Sequence, residues 1–397
     1  MTDRSGKLDI GLLIAAILML GVGIVLVYSS SFAVARQKFG GADFFLARQL
    51  VRAAIGIVCF IVLINIDYHV WGKFAMPVFG LSIVLLIVVL VLPGNHAING
   101  AKRWLPLGFF SFQVSELARI ALILVLAERV GKLGGMIKEW SHLLKELGKI
   151  AVISLLIVLE PNFSNAMIIG IIGLMMLFIG GARVWHISAL LLSLVPIGTL
   201  AVLQAPYRRR RLMGFLSGSN VKETIGYQTY QSIVGLGHGG IFGVGLGKSE
   251  QKFLFLPEPH TDFIFSILGE EVGFVGLLFV LGVLGFMIYR GIQIAIHAPD
   301  RTGQLIAAGL TLSMALNAIV HVCVNTGLIP TTGIPFPFLS YGGMSLIFTM
   351  ASIGILLNIS TQTVAVPVME IGGAAKPRQN HRSINERVVL NQSIVRD

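Results

Sequence analysis

The stretch LPEPHTDFIFSILGEE, from Leu256 to Glu271, contains the residues with the clearest potential for chemistry. It begins as a proline-containing loop, becomes an apolar helix-like run and carries carboxylates at Asp262, Glu270 and Glu271. On an ideal helix, Asp262, Ser266 and Glu270 form one polar stripe because they are four residues apart, whereas Glu271 lies roughly opposite Asp262. The spacing predicts that Asp262 lies at the mouth of its helix and that at least one glutamate pairs with a neighbouring helix.

A single carboxylate at the outer mouth of a membrane helix is suited to taking a proton from a sugar hydroxyl. Outside a membrane no nucleotide sugar is available, but a lipid-pyrophosphate sugar is, and its leaving group is already a stabilised anion. Such a reaction needs one general base and nearby cations, rather than the pair of carboxyl groups that glycosidases use. This chemistry predicts Asp262 as the base; the alternative is that Asp262 only stabilises the first turn of its helix.

The composition predicts an all-α, polytopic integral membrane protein. Of the 397 residues 55% are apolar and 12% charged, and the mean hydropathy is +0.84, whereas a soluble domain contains about 25% charged residues. Apolar runs long enough to cross a bilayer recur along the chain and predict about ten transmembrane helices. They centre on Ile10–Tyr28, Leu50–Ile66, Pro77–Leu92, Phe112–Leu126, Ile150–Leu159, Ala166–Ile179, Val184–Leu203, Phe263–Tyr289, Leu305–Thr326 and Leu339–Asn358.

The distribution of basic residues predicts the orientation of the chain in the membrane. The loop Arg129–Lys149 is rich in lysine, so the positive-inside rule places it in the cytoplasm. Alternation of the spans then places both termini in the cytoplasm and a large loop, residues 204–261, outside. We predict a transmembrane domain over residues 1–360 and a cytoplasmic tail over residues 361–397, disordered because it is basic and has no aromatic residue.

Many cations lie on the outer side or in helices that reach it. They are Arg36, Lys38, Arg48, Arg52, Lys102, Arg103, Arg119, Arg208 to Arg211, Lys222, Lys248 and Lys252. The run Arg208–Arg211 is either solvated loop charge or part of an electropositive vestibule for an acidic or phosphate-bearing substrate. Because the basic charge is spread over both membrane faces, it does not indicate a nucleic-acid partner.

Charged residues at membrane depth either mark a substrate path or pair with each other. Arg52 falls in the second span, and Glu116 and Arg119 are three residues apart in the fourth, where they can form a pair. For these two residues and for Glu270 and Glu271, interhelical ion pairing is the main alternative to a role in chemistry.

A glycine-rich segment, Gly235–Gly247, precedes the acidic stretch and has seven glycines in thirteen residues. Its GxGxxG match has no strand–helix context, so we interpret it as a flexible backbone that can approach a large headgroup. His238 and His260 are too isolated to predict a zinc site. Cys59 and Cys323 lie in apolar runs and are interpreted as small buried hydrophobic residues.

Three long motifs resemble those of the SEDS family of bacterial shape, elongation, division and sporulation proteins. They are LPEPHTDFIFSILGEEVGFVG (Leu256–Gly276), NGAKRWLPLGFFSFQVSELARI (Asn99–Ile120) and GLIPTTGIPFPFLSYGGMSLI (Gly327–Ile347). The resemblance covers nearly all of residues 8–360. The segment GVGLGKSEQKFLFLPEPHTDFIF is more similar to the cell-division branch, with FtsW and SpoVE, than to the elongation branch, with RodA.

The resemblance implies a ten-helix peptidoglycan glycosyltransferase of the bacterial cytoplasmic membrane that polymerises lipid II at the outer face, at the division septum. It also implies a class B penicillin-binding protein as the cross-linking partner, with other division proteins nearby, and it maps the essential aspartate of the family onto Asp262. No cofactor is predicted with certainty, although Mg²⁺ or Mn²⁺ is compatible with the chemistry. The predicted substrate-binding residues are Lys102, Arg103, Trp104, Arg48, Arg52, Glu116, Arg119, Lys248, Gln251, Lys252, His260, Thr261 and Ser340.

The sequence departs from the family pattern at the turn EPNFSNA between the fifth and sixth spans. Asn162 stands where the family commonly has an acidic residue, which puts a charge-dependent role of this turn in doubt. Met344 replaces a usual small polar residue, which we interpret as a packing change. Two other functions stay open at this point: a transporter that flips lipid II, with intramembrane charges along its path, and a non-catalytic scaffold that recruits the transpeptidase.

Overall fold

The computed structural model describes residues 7–92, 103–106, 111–190, 192, 209, 213, 215, 225–253, 256 and 258–362. The described helices are α1 (Ile10–Phe39), α2 (Phe44–Asn65), α3 (Tyr68–Val91), α4 (Val114–Leu133), α5 (Trp140–Leu159), α6 (Phe163–Ile179), α7 (Ile225–His238), α8 (Ile264–Ile296), α9 (Arg301–Asn325) and α10 (Met344–Ser360). Two short antiparallel strands, β1 (Trp104–Pro106) and β2 (Ser111–Gln113), form a hairpin directly before α4. The predicted all-α architecture is therefore confirmed in outline.

Most helices extend beyond the apolar runs from which they were predicted. α1 continues from Tyr28 to Phe39, where Gly40 ends it with a left-handed φ of 73°. At its other end the carboxylate of Asp9 accepts a hydrogen bond from the amide of Leu12, 3.0 Å away. The apolar run marks only the part of a helix suited to lipid, whereas the helix itself continues as long as its backbone hydrogen bonds and caps are satisfied.

Five described helices are long and apolar enough to cross a membrane. They are α1, α2, α3, α8 and α9, and α6 and α10 are shorter apolar helices. α4 and α5 carry several charged residues each, among them Glu116, Glu128 and Lys149. The predicted total of about ten spans stays a prediction, since of the seventh predicted span only residues 184–190 and 192 are described, as helical.

The core is built around α4 and α9. α4 is buried along most of its length and packs against α3, α6 and α9, and α9 also packs against α8. On the other side of the bundle α10 packs along α2, and α1 packs along α8. These described helices belong to one compact unit, Met1–Val364, while the predicted tail, residues 361–397, lies outside the described residues after Gln362.

α8 is broken at Gly273, whose φ of 72° and ψ of −172° are not helical. The backbone groups freed by the break are bonded to a loop that we call the glycine loop, residues 239–247. Four hydrogen bonds cross the break: Phe274 N to Gly240 O (2.9 Å), Val275 N to Ile241 O (3.1 Å), Val244 N to Glu270 O (3.0 Å) and Gly245 N to Glu271 O (2.9 Å). The loop thus replaces the missing turn of helix hydrogen bonding.

The glycine loop packs closely against α8 at Gly239 and Gly243, so at these two positions glycine serves close backbone packing rather than the predicted flexibility. A Cβ atom at Gly239 would overlap the carbonyl of Gly269, and one at Gly243 would overlap the carbonyl of Glu271. The glycines are needed because two backbones approach each other without room for side chains. Composition alone cannot separate this use of glycine from flexibility.

Candidate functional site

Asp262 lies in the turn that leads into α8, not on the helix itself. The helix begins at Ile264, and the amide of Asp262 donates to the carbonyl of Glu258 at 3.2 Å. The prediction that Asp262 shares a helical stripe with Ser266 and Glu270 is therefore wrong. The prediction that Asp262 lies at the mouth of the helix is confirmed. Its side chain is partly exposed, and its carboxylate lies beside Gly333, where a Cβ would be 3.6 Å from Oδ2.

The turn of Asp262 is held by Asn325, the last residue of α9. The Asn325 amide donates to the carbonyl of Asp262 at 3.1 Å and to that of His321 at 2.9 Å. Its side-chain oxygen accepts from the backbone amide and hydroxyl of Ser266, at 3.2 and 2.8 Å. Asn325 is fully buried, and this positioning residue was missed in the sequence, where only its polarity at the end of an apolar run marks it.

The loop between α9 and α10, residues 326–343, is fastened to the same turn. The hydroxyl of Ser340 donates to the carbonyl of Thr261 at 2.8 Å, and the amide of Tyr341 donates to the carbonyl of His260 at 2.8 Å. Ser340 is buried and contributes to this fastening, so its structural role differs from the predicted contact with substrate. Two motifs that are far apart in the chain thereby form one site around Asp262.

His260 is buried against aromatic rings rather than presented to solvent. Its ring lies 4.3 Å from that of Phe45 and 5.3 Å from that of Tyr341, centroid to centroid. Burial, with a smaller contribution from the charge of Lys38, lowers the pKa of His260 to about 4. The imidazole is therefore neutral at physiological pH and supplies no positive charge for a substrate.

α2 presents cations to this site. The guanidinium of Arg52 lies over the Tyr341 ring at 4.3 Å, and that of Arg48 lies over Phe44 at 4.1 Å. Within the described residues, one buried terminal nitrogen of Arg52 and both amide atoms of Gln49, one turn earlier, have no hydrogen-bond partner. Gln49 was not predicted as a site residue; unpaired buried polar groups of this kind are what a bound oxygen-rich ligand would satisfy.

The hairpin that precedes α4 connects this site to the turn between α5 and α6. The Trp104 ring lies beside Gly343, where a Cβ would be 3.5 Å from it, and Arg103 donates to the carbonyl of Pro161 at 2.9 Å. Glu160 in this turn is fully buried, and neither of its carboxylate oxygens accepts a hydrogen bond from a described residue. Burial raises the pKa of Glu160 to about 8, and the charge of Arg103 opposes that shift.

Glu116 and Arg119 form the predicted pair deep in the bundle. Both side chains are buried, they are hydrogen-bonded to each other, and Arg119 also donates to the side chain of Asn317 at 3.4 Å. A pocket among α4, α9 and α10 is lined by Arg119, Asn317 and Phe348, with Pro337 of the α9–α10 loop. The pair is consequently engaged with protein.

Glu270 and Glu271 anchor the segment that follows the glycine loop. Glu270 accepts from the hydroxyl of Ser249, from the amides of residues 250 and 251 at 3.0 and 3.3 Å, and from His238 at 3.0 Å. Glu271 accepts from Ser29 of α1 at 2.7 Å and from the ammonium of Lys252 at 3.0 Å. The prediction that at least one glutamate pairs with a neighbouring helix is therefore confirmed.

The predicted substrate contacts next to these glutamates differ in accessibility. Lys252 is only 2% exposed, and its ammonium also donates to the carbonyl of Gly247 at 2.5 Å. This buried pairing argues against Lys252 as a substrate contact, because its charge is already used within the protein. Gln251 is also buried, whereas Lys248 and Thr261 retain exposure.

Some predicted residues lie outside the described part of the chain. These are Lys102, Lys222 and, of the run Arg208–Arg211, all but Arg209. Among the described residues, no group of three or more His, Cys, Asp or Glu side chains is placed to hold a metal ion. The described side chains thus offer no such cluster for the Mg²⁺ or Mn²⁺ with which the chemistry is compatible.

Comparison with known families gives a match over almost the entire chain. The family model of FtsW, RodA and SpoVE, described as cell cycle proteins, matches residues 10–365. A probable peptidoglycan glycosyltransferase FtsW of Geobacter sp. (strain M18) is 39% identical over 355 residues, which cover 89% of this chain and 97% of the relative. Stage V sporulation protein E of Bacillus subtilis (strain 168) is 37% identical over 364 residues, 91% of this chain and 99% of the relative.

Solved structures of the same kind have a similar fold. The rod shape determining protein RodA of Thermus thermophilus has a TM-score of 0.67 at 27% identity, over 90% of this chain and 98% of that chain. A chain from a structure described as the structural coordination of polymerization and crosslinking by a peptidoglycan synthase complex has a TM-score of 0.74 at 28% identity. That match covers 89% of this chain and 98% of the other.

Proposed function

Because the chain belongs to the family of FtsW, RodA and SpoVE cell cycle proteins, we propose that it is a peptidoglycan glycosyltransferase. Its substrate is lipid II, which it polymerises into glycan strands at the outer face of the bacterial cytoplasmic membrane during septal wall synthesis. The family membership confirms the resemblance that the motifs predicted, including its closeness to FtsW and SpoVE. The partner that we propose is a class B penicillin-binding protein, in keeping with the synthase complex whose fold is similar.

The proposed reaction is a direct displacement that inverts the anomeric carbon of the donor. The carboxylate of Asp262 takes the proton of the 4-hydroxyl on the acceptor N-acetylglucosamine as that oxygen attacks the donor carbon. The new glycosidic bond forms while the bond to pyrophosphate breaks, and undecaprenyl pyrophosphate leaves with both bonding electrons. Arg52 and neighbouring cations stabilise the negative charge on the departing group.

The observation that carries this proposal is the accessibility of Asp262. Its side chain is partly exposed beside the α9–α10 loop, whereas Glu116, Glu270 and Glu271 are buried. Its backbone is nevertheless fixed, because its carbonyl accepts a hydrogen bond from Asn325 and its amide donates one to the carbonyl of Glu258. A fixed but accessible carboxylate is what a general base requires.

The direct test replaces Asp262 by Asn and measures glycan chain formation from labelled lipid II by the purified protein with its partner. Loss of the base is expected to lower the rate by about 10²–10⁴-fold, with normal expression and complex formation. Glu258→Gln is the matched control, because it removes an exposed carboxylate four residues away in the same turn and should retain activity. Polymerisation by Asp262→Asn at the control rate would remove the proposed base.

Pairings within the protein reduce the support for lipid II transport. Glu116, Arg119, Glu270 and Glu271 each have protein partners. Of the intramembrane charges that the transport hypothesis places along a headgroup path, Arg52 keeps one terminal nitrogen unpaired among the described contacts. Flipping of lipid II in liposomes that survives Asp262→Asn would favour the transporter. A scaffold role would be supported by two results together. The wild-type protein would show no measurable polymerisation, and every variant would still form the complex.

A further inference from the structure

The length of the uncharged part of α8 indicates that the glycine loop lies at the edge of the hydrocarbon layer. Between the break in α8 and Arg290, residues 274–289 contain no charged side chain, and Arg290 pairs with Asp9 at 2.7 Å at the beginning of α1. These sixteen residues cover about 24 Å of helix axis, less than the ~30 Å thickness of a bilayer core. With Arg290 at one boundary of the core, the break falls just inside the opposite boundary.

The hydrogen bonding at the break agrees with this depth. Non-helical backbone is tolerated in the hydrocarbon layer only where its polar groups are bonded, and all four crossing bonds described above are between 2.9 and 3.1 Å. A loop in water would not need to complete the hydrogen bonding of a broken helix, because water would do so. The backbone of the glycine loop is therefore compatible with contact to acyl chains.

The side chains at the tip of the glycine loop are apolar and exposed. Phe242 is 79% exposed, and Ile241 and Leu246 are each 63% exposed. This surface continues into Phe274 and Val275 of α8, which are also largely exposed and follow the break on a helix apolar enough to cross a membrane. Ordered apolar side chains in a contiguous exposed patch mark a contact surface.

We propose that the tip of the glycine loop, formed by Ile241, Phe242 and Leu246, inserts into the phospholipid leaflet on the side of the membrane where Asp262 lies. The occupant is lipid, because the patch is continuous with the lipid-facing surface of α8. Lys248 is exposed and folds over Gly245, with its Cδ 3.4 Å from a Cβ placed there. A lysine beside an inserted apolar tip can direct its ammonium to lipid phosphates.

Insertion would fix the height of the proposed active site above the membrane. The glycine loop is bonded to the first part of α8, and Asp262 immediately precedes that part. This contact does not depend on the chemistry assigned to Asp262. It is a property of the resting protein in a bilayer.

The test places an environment-sensitive fluorophore on single cysteines in the full chain, with Cys59 and Cys323 replaced by alanine and the protein in phospholipid nanodiscs. The label sites are Phe242→Cys and Leu246→Cys, with Glu258→Cys as the matched water-exposed control. These side chains are exposed, so the substitutions remove little packing. Quenching is measured with iodide in water and with lipids that carry a nitroxide near the start of the acyl chain.

Labels at 242 and 246 should be quenched several-fold more strongly by the nitroxide lipids, and several-fold less by iodide, than the label at 258. Iodide quenching at 242 and 246 equal to that at 258 would overturn the proposal, because the tip would then lie in water. Protection from iodide without quenching by nitroxide lipids would equally overturn it, because the tip would then be covered by protein. A fold check by size-exclusion profile accompanies each labelled variant.

Discussion

Two regions of the molecule bury acidic side chains to the same extent but differ in the hydrogen bonds that they donate to them. In the first part of α8, Glu270 and Glu271 are at most 1% exposed and accept hydrogen bonds from several donors, including the buried ammonium of Lys252. In the turn between α5 and α6, Glu160 is fully buried and accepts none from the described residues. Burial alone therefore does not determine what a carboxyl group does.

The difference lies in the donors that the chain supplies. Removing a carboxylate from water disfavours its charged form, and hydrogen bonds to the carboxylate favour that form again. Around Glu270 the donors come from a segment that the glycine loop positions, so acid and loop stabilise each other. At Glu160 only the charge of Arg103 opposes burial, and the pKa is about 8. The α8 acids are structural anchors, and Glu160 is a group that titrates near physiological pH.

The largest effect should follow from removing the best-bonded acid. Glu270→Ala leaves the amides of residues 250 and 251 and the hydroxyl of Ser249 without their acceptor. We expect the free energy of unfolding to fall by about 3–5 kcal/mol, as for the loss of one partner of a buried pair. Thermal unfolding in detergent measures this, with the exposed Glu250→Ala as the matched control. Equal decreases in the free energy of unfolding for the two variants would show that the hydrogen bonds to Glu270 do not stabilise the protein.

A smaller effect is expected where both partners of a buried pair are replaced. Glu271→Gln alone leaves the ammonium of Lys252 buried without its countercharge, at a cost of about 3 kcal/mol or more. The double variant Glu271→Gln with Lys252→Met removes the unpaired charge and should recover much of that loss. A double-mutant cycle on unfolding midpoints checks this, and strict additivity of the two single changes would contradict the assigned pair.

The smallest effect, with the opposite sign, is expected at Glu160. Its pKa rises from an ordinary value near 4.5 to about 8, so between these values the folded protein keeps a proton that the unfolded chain has lost. Stability therefore falls as pH rises through this window, and the fall ends above pH 8. Glu160→Gln cannot titrate, so the difference in unfolding midpoint between variant and wild type should grow in favour of the variant from pH 5 to 8. A difference that is constant over this range would mean that Glu160 is already ionised.

The apolar pattern and the acidic stretch predicted a large part of this arrangement. Runs of apolar residues identify the helices because burial and lipid contact depend on composition, and the position of Asp262 at the mouth of its helix follows from its place at the end of such a run. The roles of Lys252 and Ser340 could not be predicted, because whether a polar side chain faces substrate or protein depends on contacts between segments distant in the chain. Asn325 and Gln49 were missed for the same reason.

The four bonds across the break in α8 also constrain the length of the chain. Surface loops commonly accept added or removed residues, but residues 239–247 are paired in fixed register with residues 270–275. Adding one residue between Ile241 and Val244 would shift the two bonds made by residues 240 and 241 against the two made by residues 244 and 245. The same addition in the exposed turn before α2, at Gly41, meets no such pairing among the described contacts. For anyone who inserts a tag or a reporter into this protein, the most glycine-rich loop is the one to leave intact.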